Sequence, residues 1–404
     1  MSRAAAITPS KKSCLYCGNN QVSHSEAWIS STLTVVMNPF TRSFFRIGIG
    51  NFFEKIVDLI LSGTLKLLIL SGIATFDSDI ADDVGGRGKV LMKEAQARGW
   101  YMGMMRMLGK STDTYKIITP SGFEHIFSGL PLLGNDDNVL NGWIDDKALL
   151  KQRLSSQGIK VSKGGSFSKW KEAEAYFDSA DKPLIVKPQL GSRGRHTTTQ
   201  INTKEDFKQA FEVAKQLGYF VVVEEHLVGS VYRGTLIAGV FAGVLAGDPP
   251  RITGDGVHSI KDLIELKNKQ RHARVGEVMF TDKLDIFLEK FSYTLDTILE
   301  AGKTIDLSEK IGLSYGGNAR EVTTQVHPKL RLELERAAKI VSEPFLGFDF
   351  ITTDASADPD TIKWGIIECN SVPFINIHHD PLEGEPINVA KMVLDYFERS
   401  IPLR

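Results

Sequence analysis

Oxygen-bearing side chains lie close together near the end of the sequence. Glu368 and Asn370 are two residues apart at the end of one predicted strand, so both side chains fall on one face. Asp349 lies in the strand predicted to pair with it. Carboxylate and amide oxygens suit Mg²⁺, whereas two buried carboxylates without a cation would repel each other. The pattern predicts a Mg²⁺ site, with Mn²⁺ as an alternative ion; a chance acidic pair is the competing interpretation.

A second group of residues has the composition of a phosphate-binding loop. The segment LIVKPQLGSRGRH places Lys187 at the end of a predicted strand, and Gly191 and Gly194 let the following backbone bend close to a phosphate. Three further donors suit a lid over bound phosphate: Arg193, Arg195 and His196. A solvated basic turn is the alternative interpretation.

The segment VVVEEHLVG is a predicted strand that stops in a polar hinge. Such a hinge can present backbone groups and one carboxylate, here Glu224, to the edge of a base. The alternative is a strand with an ordinary exposed acidic end.

The elements that must position these groups alternate between strands and helices, which predicts an α+β fold with a small helix-bearing lobe between two larger portions. Residues 1–80 look like an irregular extension, and 135–141 like a linker. Strands are predicted at 115–119, 184–186, 197–201, 219–224, 348–352 and 363–368, and a hairpin at 236–245. Helices are predicted at 89–98, 145–157, 203–218, 327–341 and 388–398.

Bulk composition excludes several classes. In 404 residues, 48 Lys and Arg balance 49 Asp and Glu, so no global field favours nucleic acid or an anionic membrane. Three cysteines cannot form a disulfide framework, and the first residues lack a secretory apolar core, so we expect a cytoplasmic protein. The apolar stretch Ile56 to Ala74 contains Asp58 and Lys66, which favours a buried or amphipathic helix and strand over a membrane-surface or membrane-spanning helix.

From about Asp146 onwards the sequence resembles the ATP-grasp superfamily, and within it the ATP-grasp region of cyanophycin synthetases. Six segments carry the resemblance, in family order over some 240 residues: LIVKPQLGSRGR, VVVEEHLVGSVYRG, ITGDGVHSIKDLI, LSYGGNAREVTTQVHP, GFDF and IIECNSVPFINIHHDPLEGEPINVA. The resemblance is faint over 81–145 and absent over 1–80.

The resemblance implies a fold with ATP between two α+β lobes. It divides the chain into an extension at 1–80, a pre-ATP-grasp-like region at 81–140 and an ATP-grasp domain at 141–404, with a small lid lobe at about 155–226. It also implies roles. Lys147 and Lys187 would hold phosphates, with Gly191, Arg193 and Gly194 in the loop; Glu224 and the backbone of Glu225 and Leu227 would hold adenine; Arg233 would stabilise the transferred phosphoryl group; and Asp349, Glu368 and Asn370 would bind Mg²⁺.

The activity implied is that of an ADP-forming carboxylate–amine ligase, in which ATP phosphorylates an amino acid or peptide carboxylate and an amine then attacks. A kinase that forms no amide and a non-catalytic nucleotide-binding module remain alternatives. Relatives often form dimers or tetramers, so a homo-oligomer is one option. Cyanophycin synthetases continue into a second ATPase domain, so we expect this chain not to perform their complete polymerisation alone.

Some residues depart from the family pattern or stay open. Val231 stands where relatives usually have an acid for the ribose hydroxyls, and Phe374 stands where a glycine is usual. Arg320 suits either a substrate carboxylate or a surface ion pair, and a structural role is favoured for His378. Cys14 and Cys17 have the spacing of half a zinc site, but His24 is the only nearby candidate, so two free thiols are favoured.

Overall fold

The computed structural model describes residues 14, 16–17, 21–34, 63–64, 66–133, 143–190, 194–309 and 311–402. The chain divides into two compact units. We call Met1–Val36, Lys163–His226 and Phe280–Ser292 the small unit. The large unit comprises Met37–Ser162, Leu227–Met279 and Tyr293–Arg404. The predicted linker at 135–141 and the loop residues Gly191 and Arg193 lie outside the described residues, and the predicted domain boundaries stay predictions.

Helices and strands alternate along most of the described chain. The strands are β1 (Ala74–Asp77), β2 (Tyr101–Met107), β3 (Lys110–Ile118), β4 (Glu124–Ser128), β5 (Gly164–Phe167), β6 (Leu184–Pro188), β7 (Thr198–Ile201), β8 (Val221–Glu225), β9 (Ser230–Ile237), β10 (Val240–Asp248), β11 (Arg251–Thr253), β12 (Thr304–Asp306), β13 (Asn318–Glu321), β14 (Phe345–Thr352) and β15 (Trp364–Asn370). The helices are α1 (24–34), α2 (described parts 63–64 and 66–70), α3 (Gly86–Ala97), α4 (Lys147–Ser156), α5 (Trp170–Ser179), α6 (Lys204–Lys215), α7 (Ile260–Gln270), α8 (Asp282–Glu289), α9 (Pro328–Val341) and α10 (Val389–Ser400).

The small unit is built on an antiparallel sheet in the order β5-β8-β6-β7. Its inner strands β6 and β8 are short apolar runs, and α6 covers them with Phe207 and Phe211. The side chain of Thr203 caps α6 by accepting a hydrogen bond from the N–H of Asp206, at the start of the helix predicted from the sequence. This packing holds the ends of β6 and β8, and therefore Lys187 and Glu224, on rigid elements.

The large unit contains a five-stranded antiparallel sheet in the order β13-β10-β9-β14-β15. Helix α9 packs on it through Leu330 and Leu334, whose partners in the core include Phe348 and Phe350. The turn between β9 and β10 uses Ala238 and Gly239, both with positive φ, as a two-residue hairpin with matched twist requires. Three adjacent strands, β9, β14 and the edge strand β15, carry the polar residues described below.

A second sheet of the large unit, β1-β2-β3-β4, packs against α3 and α10. Tyr115 on β3, Leu91 on α3 and Phe397 on α10 share one buried core. The region before the predicted ATP-grasp domain therefore shares its core with the last helix of the chain. The predicted final helix is confirmed, since Asn388 caps α10.

The α+β class and most predicted elements are confirmed, including the pairing of β14 with β15. The expectation of an irregular extension over 1–80 is wrong for α1, which is helical, and for β1, which pairs with β2. Short apolar stretches such as ATFD gave too weak a periodic signal. None of the helices that the structure describes has the length and apolarity needed to cross a membrane; residues 56–62 and 65 lie outside that description.

Candidate nucleotide and metal site

Three charged residues form one row across the adjacent strands β9, β14 and β15, the last of which is an edge of the large sheet. Arg233 on β9 lies opposite Asp349 on β14, and Asp349 lies opposite Glu368 on β15. The row exists because antiparallel register fixes which residues face each other and β14 is shared by both pairs. The register of β14 and β15 brings together two of the three predicted metal ligands.

Arg233 binds Asp349 with two nitrogens. Its Nη2 donates to Oδ2 at 2.7 Å, and its Nε donates to Oδ1. Burial raises the pKa of Asp349, and the Arg233 cation opposes that rise. Burial likewise acts against the Arg233 cation, but the Asp349 carboxylate raises the pKa of Arg233 above its ordinary value. The paired form is therefore a guanidinium held in one plane by a buried carboxylate.

Space for this pair depends on Gly347, two residues before Asp349. A Cβ on Gly347 would lie 3.0 Å from Cβ of Pro373 and 3.2 Å from Cδ of Arg233. Gly347 pairs with Asn370 across β14 and β15. The glycine thus lets the Arg233 side chain lie flat over the sheet, beside the end of β15.

Lys147 brings a second cation to the row. It is the first residue of α4, whose preceding residue Asp146 caps the helix by accepting from the N–H groups of Ala148 and Leu149. The side chain is only 4% exposed, and its Nζ lies 3.7 Å from Oε2 of Glu368. The cap explains why the sequence has an acid directly before Lys147.

Asp145 is a charged residue that sequence reasoning missed. Burial and the nearby Glu368 raise its pKa, while Lys147 and hydrogen bonds from Ser371 oppose the rise. Two acids, Asp145 and Asp146, directly precede Lys147 in the sequence. Asp146 caps the helix, so the second acid was the sign that Asp145 has another role. With Asp145, the group holds three carboxylates against the cations of Lys147 and Arg233, so it suits a further positive charge.

The donor set fits a divalent magnesium ion. Asp349, Glu368 and Asn370 offer only oxygen atoms on the protein side, which is what Mg²⁺ prefers. Nδ2 of Asn370 is buried and has no hydrogen-bond partner in the part of the chain that the structure describes. Since the site has an excess of carboxylates, the oxygen atoms of these residues can hold a cation, whereas the buried Nδ2 of Asn370 can only donate to an acceptor oxygen.

In the small unit, Lys187 and Glu224 form a buried ion pair. Nζ of Lys187 lies 3.0 Å from Oε2 of Glu224, and their side chains are 8% and 2% exposed. The neighbouring N–H of Glu225 donates to the carbonyl of Lys163 at 2.8 Å, so that N–H is committed within the unit. Gly194 has φ of +73°, which suits glycine. Leu227 is buried at the start of a segment of the large unit.

His196 does not act as the mobile lid donor suggested by the sequence. It is 1% exposed, its Nδ1 lies 2.7 Å from the carbonyl of Val213, and its Nε2 lies near the two N-terminal cysteines. The prediction was wrong because the glycines and arginines next to His196 in the sequence do not indicate its contacts with residues near the N-terminus.

The residues left open by the sequence now have partners. His378 is fully buried between Glu321, at 2.6 Å, and Thr235, at 2.7 Å, which matches its structural interpretation. Arg320 forms an ion pair with Asp248 at 3.3 Å, the second of its two predicted options.

Comparisons with known proteins agree with this picture. No family model matches the chain. It is 30% identical over 259 residues to a cyanophycin synthetase of Crocosphaera subtropica. The aligned region covers 62% of this chain and 30% of that protein. The chain is also 30% identical over 327 residues to the glutathione biosynthesis bifunctional protein GshAB of Listeria welshimeri. This aligned region covers 78% of the chain and 41% of that protein. The chain thus spans less than half the length of these relatives.

Among solved structures, a bifunctional glutathione synthetase from Pasteurella multocida superposes with a TM-score of 0.54 and 22% identity, over 78% of this chain and 43% of that one. This likeness concerns the fold. With the sequence matches and the row of charges across β9, β14 and β15, it supports one conclusion: the chain has the ATP-grasp fold and is related to the cyanophycin synthetases.

Proposed function

We propose that the chain is an ATP- and Mg²⁺-dependent ligase that joins a carboxylate to an amine. The observation that carries the proposal is the row Arg233–Asp349–Glu368, with Lys147 and Asp145 beside it. Relatives named for cyanophycin and glutathione synthesis support an amino acid or peptide as the carboxylate substrate. Mn²⁺ is the proposed substitute for Mg²⁺, and the reducing cytoplasm is the proposed compartment.

The reaction has two steps. A carboxylate oxygen of the substrate attacks the γ-phosphorus of ATP; the bond to the β,γ-bridging oxygen breaks, and ADP leaves with an acyl-phosphate formed. The amine nitrogen then attacks the acyl carbon, the C–O bond to phosphate breaks, and the nitrogen loses a proton to give the amide. Phosphate leaves with one oxygen that came from the carboxylate.

Each role follows from charge. Phosphoryl transfer needs positioning and neutralisation of spread-out negative charge rather than a protein nucleophile. Lys147 and Lys187 would supply cations to the phosphates. The Arg233 guanidinium is already oriented by Asp349, so stabilising a transferred phosphoryl group would need little reorganisation.

The metal-binding residues would be Asp349, Glu368 and Asn370. A bound Mg²⁺ would withdraw charge from phosphate oxygens and so favour transfer. Glu224 would orient Lys187 and approach the adenine, with hinge backbone at Glu225 and Leu227. Gly191, Arg193 and Gly194 would form the loop over the phosphates.

The test is to incubate the purified protein with ATP, Mg²⁺ and pools of amino acids or dipeptides, measuring ADP and the product masses. A product equal in mass to two substrates minus water supports the ligase. A stable phosphorylated product would show a kinase instead. ATP binding without ADP from any pool would favour a non-catalytic module.

The variant Glu368→Gln tests the metal assignment in the same assay. It keeps the shape of the side chain but removes the carboxylate opposite Asp349. We expect turnover to be almost abolished and the remaining activity to need more Mg²⁺. Unchanged turnover and Mg²⁺ dependence in this variant would overturn the metal assignment.

A further inference from the structure

Four potential metal ligands converge in the small unit, and none of them has a role in the proposed reaction. Their donor atoms all lie within 4.8 Å of one another. The group consists of Cys14, Cys17, His24 and His196. Cys14 and Cys17 close a turn in which the N–H of Cys17 donates to the carbonyl of Cys14 at 3.3 Å, and His24 begins α1.

The distances match a tetrahedral zinc site. Nε2 of His196 lies 3.4 Å from Sγ of Cys14 and 3.4 Å from Sγ of Cys17, and Nε2 of His24 lies 3.3 Å from Sγ of Cys17. With Zn–S of about 2.3 Å and Zn–N of about 2.0 Å, tetrahedral angles put sulfur and nitrogen about 3.5 Å apart. The three sulfur–nitrogen distances therefore agree with tetrahedral coordination of one zinc ion, and all four donor atoms lie within 4.8 Å of one another.

Ordinary hydrogen bonding explains the group less well. A carbonyl oxygen only accepts, so the contact at 2.7 Å with Val213 assigns the proton to Nδ1 of His196. In a neutral imidazole, Nε2 then has one lone pair, yet two sulfur atoms lie at equal distance from it. One metal ion placed between them uses that lone pair and both sulfurs.

The surroundings resemble those of a structural site. His196 and Cys17 are each 1% exposed. His196 holds a left-handed backbone conformation at φ of +50°, rare outside glycine, and its N–H donates to the carbonyl of Tyr16 at 3.1 Å. The bond from Nδ1 to Val213 is the outer contact that typically orients a zinc-bound histidine.

We propose that Cys14, Cys17, His24 and His196 bind a structural Zn²⁺ ion that fastens the N-terminal segment to the small unit. Four protein ligands close the coordination sphere, so the ion would stabilise structure rather than activate water. His196 is 182 residues from Cys14 and follows the glycine-containing loop after Lys187. The ion would therefore also fix the end of that loop.

Metal content of the full-length protein tests the proposal. We expect about one zinc per chain after purification without added metal, and its loss in His196→Gln and in Cys17→Ser. Cys369→Ala and His272→Gln are the matched controls, because these residues lie in the large unit and outside the group. Both controls should keep their zinc.

Two further measurements separate loss of metal from loss of folding. Co²⁺ added to the apo-protein should give the visible absorption of a tetrahedral ion and a thiolate charge-transfer band, both absent in Cys17→Ser. Chelation should lower the unfolding temperature of the wild type but leave that of a folded His196→Gln variant unchanged.

Three outcomes would overturn the proposal. They are a folded wild-type protein with no zinc that takes up no Co²⁺, a Cys14–Cys17 disulfide in freshly purified protein, and undiminished zinc in both ligand variants. None of these readouts depends on ATP turnover, so the zinc site and the proposed ligase stand or fall separately.

Discussion

Lys187 and Glu224 are two opposite charges that are both almost completely buried in the small unit. A pair of this kind is costly to break, because removing one partner leaves the other charge buried without compensation. Replacing Lys187 should therefore affect both the stability of the fold and the proposed chemistry, and the two effects can be measured separately.

Lys187→Met should cut ATP-dependent turnover by orders of magnitude, since a cation for the phosphates is lost. It should also lower the free energy of unfolding by about 3–5 kcal/mol, because the buried Glu224 carboxylate loses the cation of Lys187. The double variant Lys187→Met, Glu224→Gln should recover much of that stability but no turnover. Chemical unfolding and ADP release measure the two effects; a double variant with wild-type turnover would remove Lys187 from the mechanism.

Val231 lies within β9, paired with Ile351 and Gly247, at the position where the family resemblance leads us to expect an acid. Valine cannot accept a hydrogen bond from a ribose hydroxyl. Val231→Asp should tighten ATP binding by about 1 kcal/mol, measured by calorimetry. Unchanged affinity would mean that this side chain does not face the ribose.

At the scale of elements, the register of β9, β14 and β15 decides which charges meet. The variant Gly347→Ala tests whether turnover depends on the close packing of Arg233 over Gly347. The new methyl group would press on Arg233 and Pro373 at 3.0–3.2 Å, so the guanidinium should shift on Asp349. We expect turnover to fall by about tenfold to a hundredfold, because small misplacements of catalytic groups are costly.

Gly85→Ala is the control for that substitution, since a Cβ there meets no atom within 4 Å among the described residues. It should leave steady-state kinetics unchanged. If Gly347→Ala also behaves like the wild type, the fixed orientation of Arg233 is unimportant for the reaction.

Local signals predicted these elements well where they were strong. Asn388 before α10, Thr203 before α6 and the paired apolar runs of β14 and β15 were all visible in the sequence. The position of Arg233 beside Asp349 was not, because it depends on β9 lying between β10 and β14. His196 was misassigned for the same reason, since its cysteine partners are 179 and 182 residues away.

At the scale of the whole molecule, stability should depend on pH through buried histidines of the large unit. Burial lowers the pKa of His125 below 6.5, and burial with His378 lowers that of His379. Between the folded-state pKa and 6.5 the unfolded chain binds more protons, so stability rises with pH in that window. The stabilisation from the two neutral histidines is fully present above pH 6.5 and is lost as the pH falls from 6.5 towards their folded-state pKa.

We therefore expect the free energy of unfolding to be lower at about pH 5.5 than at about pH 7.5, and His125→Gln to reduce the difference. Glutamine is uncharged at both values and can still donate to the Leu132 carbonyl that His125 contacts at 2.7 Å. Urea unfolding at the two pH values measures this. An identical difference in variant and wild type would assign the acid sensitivity to other groups.

In the proposed reaction, a substrate carboxylate attacks ATP and an amine then displaces phosphate. Its most direct test is an isotope transfer with amino acid or dipeptide pools labelled with ¹⁸O in their carboxylates, followed by mass spectrometry of the released phosphate. We predict one ¹⁸O atom in each phosphate, together with an amide product. Phosphate released without label would rule out this reaction, because it would mean that ATP is attacked by water and not by the carboxylate.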